Sequence, residues 1–159
     1  MIFDFPGFKH LQYILERDQA RYDLSTSNIK PQWKGSVESA LDDKLIAEGD
    51  PSGNIDLRIW LSQLYNVEEG RILLTNGTSE ANWLAFLSTV EKGSSVLVEK
   101  PVYTPLIEIP RAMGCRMGYI KRREPEYRID PGELERKLSG GVDLLVLQNP
   151  NNPTGKVLF

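Results

Sequence analysis

Three stretches of the chain combine hydroxyl, amide or aromatic side chains with glycine or proline, and each follows an apolar run. Thr75-Asn76-Gly77-Thr78-Ser79-Glu80-Ala81 comes after Arg71–Leu74, Lys100-Pro101-Val102-Tyr103-Thr104-Pro105 after Ser95–Glu99, and Asn149-Pro150-Asn151-Asn152-Pro153-Thr154-Gly155 after Val142–Gln148. At the start of a predicted helix, Asn76, Gly77, Thr78 and Ser79 offer unpaired backbone N–H groups and small hydroxyls that suit an anion such as phosphate. The same residues also read as an ordinary helix cap, with Thr78 or Ser79 capping and Gly77 turning. Tyr103, on a proline-stiffened turn, presents a ring that can stack on a planar aromatic ligand or simply pack. The amides of Asn149, Asn151 and Asn152 can donate to a ligand oxygen without adding charge, and their stretch is equally a good turn. Together the three stretches describe a site for a flat ring bearing a phosphate and an oxygen. Familiar nucleotide motifs are missing: there is no G-x-G-x-x-G, and Gly155-Lys156 fails as a P-loop because Pro150 and Val157 stand where glycine and Ser/Thr are needed.

The elements that must position these residues follow from periodicity. Phe8 to Asp23 reads as a short helix and leads into Leu24–Pro31, a polar segment that Pro31 keeps extended or turned. Gln32 to Ala47 places Trp33, Val37, Ala40, Leu41, Leu45 and Ile46 at helical spacing, and Glu48–Asn54 breaks it. A further helix spans Ile55 to Tyr65, with Leu57, Trp60, Leu61 and Leu64 on one side. From Arg71 onward the period changes to β-α-β-α-β-α-β, with strands at Arg71–Leu74, Ser95–Glu99, Cys115–Ile120 and Val142–Gln148. The intervening helices are expected over Ser79–Val90, Val102–Met113 and Pro131–Leu138, the last with Asp130 as N-cap and proline at its first position. This pattern predicts an α/β fold with a largely parallel sheet and helices on its faces. Ligands bind beyond the carboxyl ends of such strands, which is where all three polar stretches fall.

Composition narrows the chemistry. The chain has 159 residues and a net charge of −3, so it can bury one ordinary core and has no general electrostatic attraction for nucleic acid or an anionic membrane. The basic cluster Lys121-Arg122-Arg123 reads as a solvated strand end, with a local anion contact as the other reading. Cys115 and His10 are the only residues of their types, which leaves disulfides within the chain, cysteine-rich zinc sites and Ser-His-Asp chemistry without their residues. No apolar run has the length of a membrane span and the first ten residues lack a secretory pattern, so a cytoplasmic location is expected.

The three stretches, in this order and spacing, resemble the fold-type I pyridoxal-phosphate enzymes, specifically the class I/II aminotransferases of the aspartate aminotransferase family. Asn149–Gly155, an N-P-x-N-P-T-G motif, is the most specific piece. Pro51–Arg58 and Leu24–Pro31 are further landmarks, so the resemblance covers nearly the whole chain after an N-terminal arm. It implies the incomplete first half of a mixed, mostly parallel α/β/α sheet domain, with an arm and linker at residues 1–31 and the cofactor-domain half at 32–159. It implies pyridoxal 5'-phosphate as cofactor, with Gly77, Thr78 and Ser79 on its phosphate, Tyr103 stacked on its ring and Asn152 donating to its phenolic oxygen. Around Ser27 and Asn28 the backbone matches the place where the family meets the substrate carboxylate, although many members have Gly where this chain has Ser27.

The implied activity is transfer of an amino group between an amino acid and a 2-oxo acid, by a homodimer in which Phe3, Phe5, Phe8 and Leu11 of the arm can take part. A carbon–sulfur lyase or an amino-acid decarboxylase of the same fold shares the three stretches, and a non-catalytic half-domain is the reading from a different class. Two departures stand out. Many members carry a tyrosine that reaches the neighbouring subunit's cofactor phosphate, where alignment on Gly49–Gly53 puts Glu48, a carboxylate that would repel it. The family's aspartate facing the pyridine nitrogen, its Schiff-base lysine and its substrate-carboxylate arginine all fall beyond Gly155. The chain is therefore expected to be the N-terminal part of a longer enzyme and inactive by itself, and Lys100 reads as a solvated lysine at a strand end rather than a substitute for that lysine.

Overall fold

The computed structural model describes residues 53–158 together with Gln12, Tyr13 and Glu16. Those three residues are helical and exposed, in agreement with the helix expected there. The segments Phe3–Leu11, Ser27–Asn28, Gln32–Ala47 and Glu48, which carry the arm, the substrate contact, one helix and the anomalous glutamate, lie outside the described residues. The described residues fall into two compact units, 53–75 in one and 76–158 in the other.

In the first unit, helix α1 (Ile55–Tyr65) spans the predicted residues. Its ends are set locally: the Asn54 side chain accepts from the Leu57 N–H at 2.9 Å, and Asn66 closes the helix in the left-handed region at φ 51°. A single 3-10 turn follows at Glu69–Arg71. The apolar side chains expected to share one side of α1 are largely exposed, Trp60 at 56% and Leu64 at 58%.

Arg71–Leu74 departs from expectation. Residues 72–75 belong to no strand, although Ile72 is extended, and Leu73 is 69% exposed. The residues have the composition of a strand and lack its other half, since a ladder forms only when a second strand supplies hydrogen-bond partners.

The second unit contains α2 (Thr78–Thr89), β1 (Ser95–Lys100), α3 (Pro105–Ala112), β2 (Arg116–Arg123), β3 (Arg128–Ile129), α4 (Pro131–Leu138) and β4 (Leu144–Val146). The sheet order is β3-β2-β1-β4. β1 pairs in parallel with β2 (Val98 opposite Tyr119) and with β4 (Val98 opposite Val146), whereas β3 runs antiparallel to β2. The two-residue β3 was not expected; Arg128–Ile129 is too short to show a period. β1 occupies the centre, which explains its nearly continuous apolar sequence and its run of four buried residues. On one face Val96 and Val98 form the core with Phe86, Val90, Ile109 and Met113 from α2, α3 and their flanks. The other face carries Leu97, Glu99, Ile120 and Arg122, all buried.

Two helices begin where proline fixes the backbone. α3 starts at Pro105, three residues later than expected, because Pro101 and Pro105 bracket a segment that leaves the sheet before turning helical. α4 matches the predicted span; Pro131 takes its first position and the Asp130 carboxylate accepts from the Glu133 N–H at 2.8 Å.

That cap bond, aided by Arg123, holds the Asp130 carboxyl below its ordinary value. A carboxylate with a depressed folded pKa contributes stability that is full above its unfolded pKa and disappears as pH falls through the folded one. An NMR titration should therefore show Asp130 ionising below the ordinary aspartate value, and Asp130→Ala should destabilise the chain more at neutral pH than below the folded pKa. An equal loss at both pH values would place the effect outside the cap.

Candidate cofactor site

The site begins with Gly77, whose φ of +81° is a conformation that side chains disfavour. A Cβ there would meet nothing within 4 Å, so the requirement is conformational rather than steric. Gly77 is the N-cap of α2 and supplies no side-chain acceptor. The Glu80 carboxylate instead takes the N–H of Asn76, one residue before the cap. The alternative in which Thr78 or Ser79 serves as the N-cap is not what forms: both are exposed residues inside the first turn. Their hydroxyls and the first-turn N–H groups stand together at the positive end of the helix, chemistry that suits an anion.

Thr78 lines a cavity of about 420 Å³ together with Asn82 and Phe86 of α2, Tyr103, and the exit of β4 through Gln148 and Asn149. That volume lies within the usual range of small-molecule sites. The cavity brings one residue of each predicted stretch to a common space; Gly77, Ser79 and Asn152 do not line it. Its lining is mostly apolar, with Leu144, Val146 and Phe86 among it, and includes the polar side chains of Thr78, Asn82, Gln148 and Asn149, a mixture suited to a flat ring with polar substituents.

The three asparagines have separate roles. Asn151 is buried, and its Nδ2 donates to Glu99 Oε1 at 3.0 Å and to the Pro101 carbonyl at 2.9 Å. Its Oδ1 accepts from the Thr154 hydroxyl at 2.7 Å, so the amide expected to be open to a ligand is committed to structure. Asn149 Oδ1 accepts from the Leu158 N–H. Asn152 is exposed; its N–H donates to the Gln148 side chain while its own amide has no partner among the described residues. Of the three side chains, that of Asn152 has no partner at all among the described residues, and that of Asn149, which lines the cavity, is bonded there through its oxygen only.

Beneath these loops lies an interaction that sequence reasoning missed. Arg122, expected in a solvated strand end, has no exposed side-chain surface, and neither has Glu99. Arg122 Nε donates to Glu99 Oε2 at 2.7 Å, and its two terminal nitrogens donate to the carbonyls of Tyr127 and Gln148. Glu99 Oε1 also accepts the Gln148 N–H at 2.7 Å. The alternation of β2 was the available signal: Arg122 shares a face with Ile120, whereas Lys121 and Arg123 point the other way and are exposed. Tyr127 enters the left-handed region at φ 52°, and its carbonyl is one of the two that Arg122 binds.

Lys100 is also engaged, contrary to the solvated reading: its ammonium lies 3.5 Å from the centroid of the Tyr119 ring. Burial pushes the Cys115 thiol up, away from nucleophilic use. No helix among the described residues is long and apolar enough to cross a membrane.

A mostly parallel sheet with helices packed on it, and polar strand exits beside a largely apolar cavity, defines an α/β domain. The chain belongs to the aminotransferase class I and II family, whose sequence profile matches residues 20–158. The aspartate aminotransferase of Sulfolobus acidocaldarius is 29% identical over 133 residues, which are 78% of this chain and 33% of that protein. Among solved structures, a double mutant of Thermus thermophilus aspartate aminotransferase aligns with a TM-score of 0.65 and 26% identity, covering 70% of this chain and 31% of its own. LysN, the α-aminoadipate aminotransferase of Thermus thermophilus, was solved with N-(5'-phosphopyridoxyl)-L-leucine; it aligns with a TM-score of 0.62 and 28% identity over 69% of this chain and 28% of its own. The chain thus spans about a third of the length of the curated relatives named first. The fold is that of the family's α/β/α sheet domain in part, and the family's cofactor is pyridoxal 5'-phosphate.

A buried ion pair is costly to break singly, because the survivor is left uncompensated. Arg122→Met should lower the unfolding free energy by about 3–5 kcal/mol in urea titrations. Glu99→Gln combined with Arg122→Met should recover part of it, since the amide still offers an oxygen to Gln148 and Asn151 and leaves no charge unpaired. A double variant no more stable than Arg122→Met would show that the charge is not the source of the loss.

Proposed function

We propose that this chain contributes part of the cofactor site of a pyridoxal-phosphate-dependent aminotransferase, which moves an amino group between an amino acid and a 2-oxo acid. The observation that carries the reading is the single cavity lined by Thr78, Tyr103 and Asn149, one residue from each polar strand exit. The residues present fit the cofactor: an anion-binding helix start, an aromatic ring, and nearby a free neutral amide.

In this reading Gly77, Thr78 and Ser79 bind the phosphate through the first turn of α2. Tyr103 orients the pyridine ring, and Asn152 donates to the phenolic oxygen without placing a charge beside it. When bound, the cofactor supplies an electron sink that acidifies the Cα–H of the amino acid. Ser27 and Asn28 offer backbone to the substrate carboxylate. Lys100, held on the Tyr119 ring, has no role on the cofactor in this reading. Residues 1–31 form an arm and 32–159 the first half of the large domain, and the complete enzyme is a cytoplasmic homodimer. The deciding experiment is an assay of the full-length protein with amino acids, 2-oxoglutarate and pyridoxal phosphate. Glutamate formation is expected; release of ammonia and pyruvate without amino transfer would establish a lyase instead.

Asn152→Ala in that enzyme should weaken cofactor retention by about 1–3 kcal/mol, the cost of one donor lost from a partly buried oxygen. The pH at which the cofactor absorbance changes should also shift. Thermal unfolding without cofactor should not change, because the Asn152 side chain is exposed and unpartnered among the described residues. An unaltered absorbance titration would reduce the motif to a turn.

A further inference from the structure

We infer that Asn151, with Glu99 and Arg122 behind it, is a positioning residue that couples the β1 exit to the β4 exit, so that the Tyr103 turn and the Asn152 turn are set together. This inference rests on the reading of those turns as the two sides of a pyridoxal-phosphate site. The geometry points to it because Asn151 touches both exits through a single amide. Its Nδ2 bridges the Pro101 carbonyl, two residues before Tyr103, and Glu99 Oε1, which also takes the Gln148 N–H at the end of β4. Arg122 closes the circuit from below by binding both Glu99 and the Gln148 carbonyl. From the outside, the Thr154 hydroxyl fixes the amide's orientation through Asn151 Oδ1. Asn152, next in sequence, therefore inherits its position from a residue that is 2% exposed and fully hydrogen-bonded.

The phosphate end is built differently. It depends on α2 and Gly77, which none of these bonds touches, so the network should govern recognition of the ring and not of the phosphate. This separation distinguishes positioning from general stability. Asn151→Ala removes the bridge. Thr154→Val, at a half-buried position, removes the short bond to Asn151 Oδ1 and the longer one from the Lys156 N–H, leaves the Thr154 N–H on that oxygen, and serves as the variant that keeps the fold if the first does not.

The test has two readouts on the 159-residue chain. The first needs no ligand: in amide NMR spectra, either substitution should move the Val102, Tyr103 and Thr104 resonances as well as those of residues 152–156, while Val96, Val98 and Ile120 keep their exchange protection. Changes confined to residues 149–156 would overturn the coupling. The second readout compares pyridoxamine 5'-phosphate, which has no aldehyde to react with surface lysines, with inorganic phosphate by calorimetry. Wild type should prefer pyridoxamine phosphate, and Asn151→Ala should reduce that preference at least tenfold with phosphate affinity unchanged. An equal weakening of both would overturn the positioning role. A wild-type chain with no preference, even with its loops coupled in the first readout, would overturn the cofactor reading itself and with it the role assigned to the coupling.

Discussion

The buried pair of Glu99 and Arg122 is the constraint on which the site side of the sheet depends. Two charges without exposed side-chain surface are tolerable only when every polar atom finds a partner, because desolvation of each ion costs several kcal/mol. The partners nearby are the backbone of the β4 exit, the carbonyl of Tyr127 and the Asn151 amide. Satisfying the ions therefore fixes the loops. A hydrophobic pair at these positions could fill the space, but it would leave the Gln148 N–H without its acceptor and the Asn151 amide with the Pro101 carbonyl alone, so that one bond rather than several would join the two exits.

The other face of the sheet does a simpler task. Val96 and Val98 pack against Phe86, Ile109 and Met113, which sets how close α2 lies to β1 and β4. Because α2 begins at Gly77 with no side-chain cap, the helix brings an electropositive end to the sheet edge where the polar exits collect. Packing thus delivers one half of the cavity and the buried ion pair the other. The buried ion pair and the apolar core lie beneath the strand exits, and the exposed groups at those exits, the Thr78 hydroxyl on the cavity and the Ser79 hydroxyl and Asn152 amide outside its lining, are those best able to meet a ligand.

Several surfaces have the character of interior with few neighbours among the described residues. There Arg71–Leu74 is strand-like in composition and joins no ladder, β4 pairs with β1 alone, and Trp60 and Leu64 of α1 are exposed. These features agree with a chain about a third as long as its curated relatives. A sheet that is mostly parallel is stable when both faces and both sides of its central strands are covered, and the present four strands meet that requirement around β1 alone.

How much could be read from the sequence depended on the distance over which each choice is made. Asn54 caps α1 and Asp130 caps α4 through N–H groups three residues ahead, so both helices matched their predicted spans. The order of the polar exits and the motif at Asn149–Gly155 were likewise legible, because turn chemistry and strand composition are written in neighbouring residues. Glu99, by contrast, meets Arg122, Gln148 and Asn151 across 23, 49 and 52 positions. No local pattern distinguishes an arginine that will be buried from the solvated lysine beside it, or the asparagine that braces the loop from the one left free. The sequence by itself determined the elements, their caps and the residue types at the strand exits, since those follow from interactions within a few residues. Only the tertiary structure decided that Arg122 is buried, that Asn151 is structural while Asn152 is open, and that Arg71–Leu74 joins no ladder among the described residues, because each depends on which distant group arrives to satisfy a hydrogen bond.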